Sequence, residues 1–326
     1  MEDIVIINKL GAGMLGDVYL CSYKNNHYAL KIEKILVADV DYDVAKQEWR
    51  EVDFSYSFGN SYPESFVTLC KHDIVRDYVK KKYVLKNKNM SDYVKNRLKM
   101  KSKSKYSIRK LYSLIHNTLK DEINQLSTNQ LYSVILQVIY ICNLMKEHGY
   151  THNDLHTKNI GIIHTDKNKT MNMFGRTIKT FGIQIKLIDF GFCLHEKYGL
   201  SEDELFIHKY GLENEINRLL IRLVKFDKAH KVNKIFSWSE TPDIYDNFVE
   251  SKCYRTIEDF GINDYDRFSI FQILLPEVFQ KMLLKDNFIK VNKPMTLIDT
   301  MDILFIFKNK ADIDKIVKYL VEKMTN

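Results

Sequence analysis

The chain has 326 residues, of which 45% are hydrophobic and 28% charged, with 12 Gly and 4 Pro. That balance excludes collagen-like, mucin-like and disordered chains, and the length suits about two domains or lobes. The formal net charge is +7, yet the eight basic residues between Lys95 and Lys110, with no acid among them, outnumber it, so the basicity is local and does not mark the whole chain as a nucleic-acid binder.

From the start of the chain, Ile4–Lys9, Val18–Ser22 and His27–Lys34 alternate like short strands. A glycine-rich turn separates the first two, and the polar turn Lys24-Asn25-Asn26 the second and third. Asp43–Phe58 carries apolar residues at helical spacing, with Gly59-Asn60 as its stop. Phe66–Val75 and Tyr83–Leu85 complete a set of five strands around one helix. From about Ser91 the pattern turns helical: a polar, basic stretch to Lys110, then a long amphipathic helix over Asn129–His148 that ends at Gly149. Ile160–His164 and Gln184–Ile188 are short apolar strands, and the polar Asp166–Phe181 between them reads as an exposed hairpin. Leu205–Phe226, Asp264–Leu284 and Ile313–Met324 read as helices.

The five cysteines (Cys21, Cys70, Cys142, Cys193 and Cys253) stand singly, with no CxxC spacing. A disulfide framework or zinc site is not expected, and a reducing, cytoplasmic location fits. The N-terminus lacks the basic start of a signal peptide. The longest apolar run, Leu131–Met145, is interrupted by Ser133, Gln137 and Asn143 and is too short to span a bilayer.

Four motifs occur in one order. Gly11-Ala12-Gly13-Met14-Leu15-Gly16 lies between two expected strands and leads to Val18; glycines there let backbone N–H groups approach phosphates closely. A dinucleotide fold would need a helix directly after them, and here a strand follows. Lys31 lies in Tyr28-Ala29-Leu30-Lys31-Ile32 on the third strand, where a cation held by a helix carboxylate can grip the α- and β-phosphates of ATP. His152-Asn153-Asp154-Leu155-His156-Thr157-Lys158-Asn159 follows the long helix. In that loop Asp154 can orient an attacking hydroxyl while Asn159, five residues on, offers an amide oxygen to Mg²⁺. Lys186-Leu187-Ile188-Asp189-Phe190-Gly191 ends a strand with a carboxylate suited to bridging Mg²⁺ to the β- and γ-phosphates.

In this order the four motifs resemble those of the eukaryotic-type protein kinase superfamily, over roughly Ile4–Phe226. The resemblance implies an α+β, bilobal fold with ATP in the cleft. A five-stranded antiparallel N-lobe would occupy residues 1–88. A mainly helical C-lobe would occupy 89–326, with a basic insert at about 91–127 and a hairpin insert at about 164–183. It implies a Ser/Thr protein kinase using ATP and Mg²⁺. Gly11 to Gly16, Val18, Ala29 and Lys31 would contact the nucleotide, and Asn159 and Asp189 would hold the metal. Asp154, Lys31 and a glutamate on the N-lobe helix would be catalytic. Glu48 and Glu51 both compete for that last place; Glu51 is favoured because Phe54 and Phe58, at i+3 and i+7, then share its inward side.

Three departures qualify the resemblance. Asn153 replaces the Arg that in the family commonly receives an activation-loop phosphate, so activity is expected not to need that phosphate. His156 stands where protein kinases usually carry a Lys, and Lys158 is the nearest lysine; both join the candidate catalytic set. Such HxDLHxxN loops are similar to those of aminoglycoside- and choline-type kinases, which keeps a small-molecule acceptor open beside a protein one. No Ala-Pro-Glu follows Asp189. Glu213–Leu220 and Asp266–Phe271 are rival candidates for the central C-lobe helix. A pseudokinase scaffold is a third reading, against which stand Lys31, Asp154, Asn159 and Asp189. The Lys95–Lys110 stretch reads as a solvated insert or as a surface for an acidic partner. The AT-rich residue usage is similar in style to divergent kinases of large DNA viruses, including the poxvirus type.

Overall fold

The computed structural model describes residues 3–12, 16–76, 92–123 and 125–201, and beyond them 204, 205, 208, 215, 317, 318, 320–322 and 324. Outside these lie Gly13, Met14 and Leu15, the expected strand Tyr83–Leu85, the expected helix Asp264–Leu284 with the rival segment Asp266–Phe271, most of the helix expected at Leu205–Phe226 and half of the one expected at Ile313–Met324. The chain divides into two compact units. The first comprises the described residues of Met1–His116 together with Lys186–Leu200; the second comprises Asn117–Ile185 and the described residues from Ser201 on.

The first unit is mixed α+β, built on a five-stranded antiparallel sheet. β1 (Val5–Ala12), β2 (Gly16–Tyr23), β3 (Asn26–Ile35), β4 (Leu69–Arg76) and β5 (Tyr106–Ser113) lie in the order β1-β2-β3-β5-β4. The β2–β3 turn is short because Lys24 and Asn25 both take positive φ, the geometry that two-residue hairpin loops require. β1 is an edge strand with almost every residue exposed. β3 and β5 are central and bury apolar residues on both faces, Cys21, Leu30 and Leu111 forming one cluster. Gly16 is a glycine for a packing reason: a Cβ there would meet Ile32 O at 2.7 Å and Glu33 Cγ at 2.6 Å on the neighbouring strand.

Helix α1 (Gln47–Ser57) packs Trp49, Val52 and Phe54 inward. Its start is tied by the Trp49 indole, which donates to Asp39 O at 3.0 Å. Helix α2 (Asp92–Lys103) follows, and it buries Leu98 and Lys101.

The strand β5 corrects the sequence expectation for the basic stretch. Tyr106–Ser113 is a central strand of the sheet unit, which extends past the boundary expected at residue 88. Lys101 and Lys110 are buried. The acidic partners sought outside the chain are internal for three of the basic residues. Lys101 pairs with Glu48, Arg109 with Asp73, and Lys110 with Glu33 and Glu51.

In the second unit, α3 (Leu119–Glu122) and α4 (Thr128–Glu147) both begin with capping boxes, Thr118 with Asp121 and Ser127 with Gln130. These reciprocal side-chain bonds satisfy amides that the helix itself leaves open. α4 is buried on most of its surface and ends at Gly149, whose φ is 74°. Its interior polar residues are used: the Gln137 amide donates to Ser133 Oγ and Ile183 O and accepts from the Ile185 N–H. That bridges α4 to a three-stranded sheet in which β10 (Ile183–Leu187), β7 (Ile160–His164) and β6 (Asn117–Thr118) follow one another. The expected hairpin is present as β8 (Thr170–Met173) and β9 (Arg176–Lys179), turned by Phe174 and Gly175 at positive φ. It is not exposed throughout, since Met173 and Ile178 are buried and Phe174 packs edge-on against Tyr140. No helix among the described residues is long and apolar enough to cross a membrane.

Candidate active site

The sheet unit gathers four charged side chains around Lys31. β3 alternates its side chains, so Lys31 and Glu33 share one face. β5 runs alongside with Lys110 directly opposite Lys31 in the register. Two like charges in that relation repel unless anions intervene, and here they do. Lys31 Nζ donates to Glu51 Oε2 at 2.9 Å and Oε1 at 3.1 Å, and lies 3.1 Å from Glu33 Oε1. Lys110 Nζ donates to Glu33 Oε2 and Glu51 Oε2, each at 2.6 Å. Of the two helix glutamates, Glu51 therefore meets Lys31, and Glu48 is occupied by Lys101.

Asp189 completes the group, its Oδ1 accepting from Lys31 Nζ at 2.7 Å. The backbone brings it there: Leu187 N–H donates to Ser65 O and Leu187 O accepts from Val67 N–H. Asp189 itself takes φ 64°. The next residue, Phe190, is buried and stacks on Phe54 with ring centres 4.0 Å apart, edge-on to Phe66. The segment after it is fastened to α1. Lys197 pairs with Asp53 at 2.6 Å, and the buried Tyr198 donates to Asp53 Oδ2 and Arg50 O.

The electrostatics follow from burial against pairing. Burial alone would lower the pKa of Lys31. The charges of Asp189, Glu33 and Glu51 outweigh it and hold the ammonium well above the ordinary lysine value. Lys110 is raised by the same balance of burial against Glu33 and Glu51. Burial would raise the Glu33 carboxyl, but Lys110 first and Lys31 second hold it far below the usual carboxylate range. Burial, then the Glu51 carboxylate, pushes the Tyr112 hydroxyl well up. Lys31 and Lys110 are thus held as ammonium groups and Glu33 as a carboxylate at neutral pH. Asp189 is its most open member, with 41% of its side chain exposed against 9% for Lys31 and 0% for Lys110.

The second unit carries the loop after α4. Asn159 Nδ2 donates to Asp154 O at 2.9 Å and Oδ2 at 3.3 Å. Both bonds use the amide nitrogen, so the amide oxygen is the atom left for a hard cation. His156 Nε2 lies 3.7 Å from Asp154 Oδ2 while its Nδ1 accepts from Lys158 N–H; the Lys158 side chain is exposed. Sequence reasoning missed the group that holds this loop. The buried Glu215 carboxylate accepts from Asn153 N–H with one oxygen and from Leu155 N–H at 3.1 Å with the other, on either side of Asp154. Only its place inside the helix candidate Glu213–Leu220 hinted at it. Asn153 takes φ 59°, a strained region that short polar Asn tolerates better than most residues.

Of the glycine-loop residues, Gly11 lies at a β-bulge with open space where a Cβ would be, and Val18 and Ala29 lie in β2 and β3. Among the described residues no three His, Cys, Asp or Glu side chains group into a metal cage. Mg²⁺ held by one or two carboxylates and substrate phosphates needs none. No protein-family model and no curated protein matches the sequence.

Proposed function

We propose that the chain is a Mg²⁺-dependent kinase of the eukaryotic protein kinase type that transfers the γ-phosphate of ATP to Ser or Thr hydroxyls of proteins. One observation carries the reading: a buried strand lysine, Lys31, gripped by a helix glutamate and by the Asp of Asp-Phe-Gly. Three residues separated by up to 158 positions meet there; Lys31 and Asp189 come from the four motifs and Glu51 from the expected helix. The five-stranded sheet unit serves as the N-lobe of such a fold, and the unit that begins at Asn117 as its C-lobe.

Phosphoryl transfer is mostly positioning and charge stabilisation. Lys31 supplies the cation for the α- and β-phosphates, with Glu51 holding its ammonium. Asp189 and the Asn159 amide oxygen are the groups that fit Mg²⁺, a hard ion that prefers oxygen. When bound, the ion neutralises charge on the β- and γ-phosphates. Asp154 accepts the acceptor hydroxyl's proton, and Asn159 and Glu215 hold its loop in place. The Asp53–Lys197–Tyr198 contacts do the tethering that a phosphate would do elsewhere, which suits Asn153 in place of a phosphate-binding Arg. Cys21, Cys70, Cys142 and Cys193 are free thiols, as a protein of the reducing cytoplasm would have them.

A small-molecule acceptor is the second reading, favoured by one observation. A histidine, His156, and not a lysine, stands beside Asp154.

The test is transfer of labelled γ-phosphate with Mg²⁺ for wild type beside Asp154→Ala. A Ser/Thr-rich protein mixture and a panel of aminoglycosides and choline-like alcohols serve as acceptors. Positioned proton transfer is worth about 10²–10⁴ in rate, so the variant should lose that much label from protein. Label in the small molecules alone would select the second reading. ATP bound with no transfer to any acceptor would leave a nucleotide-binding scaffold.

A further inference from the structure

The cluster around Lys31 contains a cation that the four motifs do not require. Lys110 comes from the middle of β5, out of a basic run that looks solvated in the sequence, and is completely buried. It is placed to do one thing. Lys31 has three protons and four oxygens around it: two of Glu51, one of Glu33 and one of Asp189. An ammonium in that position has no capacity left for a phosphate. To take one it must give up an oxygen, and a buried carboxylate deprived of its cation costs a great deal. Lys110 removes that cost, because it binds the second oxygen of Glu33 and shares Glu51 Oε2 with Lys31. Glu33 thus keeps a full ion pair when Lys31 turns away.

We propose that Lys110 is a positioning residue for nucleotide binding: it holds Glu33 and Glu51 so that Lys31 is released to the phosphates. The inference rests on the kinase reading and deepens it. It makes the lysine–glutamate pair of that reading a four-membered lattice here, Lys31, Glu51, Lys110 and Glu33, with Asp189 as its exchangeable fifth member. Lys110 touches no substrate; it acts through the two glutamates.

A purely structural lysine would make a different prediction, and the chain supplies its own control. Lys101 and Glu48 form another buried pair, between α2 and α1. Calorimetric affinity for ADP with Mg²⁺, and KM and kcat for ATP, are measured on full-length wild type, Lys110→Met, Lys101→Met, Glu33→Gln and Lys110→Met/Glu33→Gln. Both lysine variants should lower the unfolding midpoint. Only Lys110→Met should weaken ADP and raise the KM for ATP by at least about tenfold, leaving the acceptor KM in place. Glu33→Gln added to Lys110→Met removes the carboxylate left without its cation and should recover most of that loss.

The inference is overturned if Lys110→Met binds ADP like wild type, if the double variant is no better than the single one, or if Lys101→Met loses as much affinity as Lys110→Met. Should Lys110→Met alone not fold, the double variant is compared with Glu33→Gln; equal affinity supports the proposal and a tenfold deficit overturns it. Failure of the parent reading looks different, since wild type itself would then bind no nucleotide.

Discussion

Removal of the Glu215 carboxylate tests the geometry of the Asp154 loop without reference to any activity. Glu215 is buried and accepts from the backbone N–H groups of Asn153 and Leu155. Hydrogen bonds to a charged group are worth about 1.5–3 kcal/mol each, and a buried donor left without a partner adds its desolvation penalty. Glu215→Ala loses both bonds, so it should cost about 3–6 kcal/mol, a large share of the roughly 5–15 kcal/mol that holds a typical domain together. Glu215→Gln keeps one acceptor oxygen but turns an N–H₂ group towards the second amide, and should cost about half as much. The local effect matters more than the total. Asn153 sits at φ 59°, a conformation that persists only while its surroundings impose it. Without the carboxylate the loop relaxes and Asp154 moves; a displacement of about 1 Å can cost about 10² in rate. Urea unfolding followed by circular dichroism gives the stability loss, and hydrogen exchange over residues 151–156 gives the local one. Unchanged exchange at the Asn153 and Leu155 amides, with an unmoved midpoint in Glu215→Ala, would refute the claim that this carboxylate holds the loop.

Three further expectations concern the sheet unit. Phe190→Ala removes a ring stacked on Phe54 at 4.0 Å and buried against Phe66, and should cost about 3–5 kcal/mol in urea unfolding; a loss below about 1 kcal/mol would mean that the aromatic cluster is not load-carrying in the folded state. Gly16→Ala should destabilise by about 1–3 kcal/mol because its Cβ strikes the β3 backbone. Gly11→Ala, with open space around it, should stay within about 0.5 kcal/mol of wild type while weakening ATP binding if Gly11 covers the phosphates; equal stability losses would contradict the packing argument. Glu33 is ionised in the fold far below its unfolded range, so its contribution is present above the unfolded glutamate pKa and fades as pH falls below it. The acid limb of the stability–pH curve should therefore be shallower in Glu33→Gln than in wild type, and parallel curves would rule out this source of acid sensitivity.

Much of the sheet unit is legible in the chain because its cues are local. Period-two alternation and polar turns mark β1 to β4 within a residue or a few. The i+3 and i+7 spacing of Phe54 and Phe58 from Glu51 picks the glutamate that meets Lys31, because one helix face must be apolar to pack. The five-residue step from Asp154 to Asn159 puts amide and carboxylate in contact within one turn of loop. The basic run was misread for a physical reason: lysines in a row report charge, and charge by itself says solvent. Tyr106, Ile108, Lys110 and Tyr112 alternate on one side of β5, and that pattern was the available sign of a strand.

Residue type and order thus determined the α+β class of the first unit, four of its five strands and helix α1, and the short list of side chains able to do chemistry. Only the tertiary structure decided that Lys110 is an interior cation, that Glu33 joins Glu51 around Lys31, that Gly16 is required by the backbone of β3, and that Glu215 anchors a loop some sixty residues before it in the chain. The reason is the range of the forces involved. Strand and helix patterns arise from neighbours a few residues apart. The ionisation and partner of a buried charge depend on whatever the fold brings within about 3–4 Å of it, because in a low-dielectric interior an unpaired charge is not tolerated.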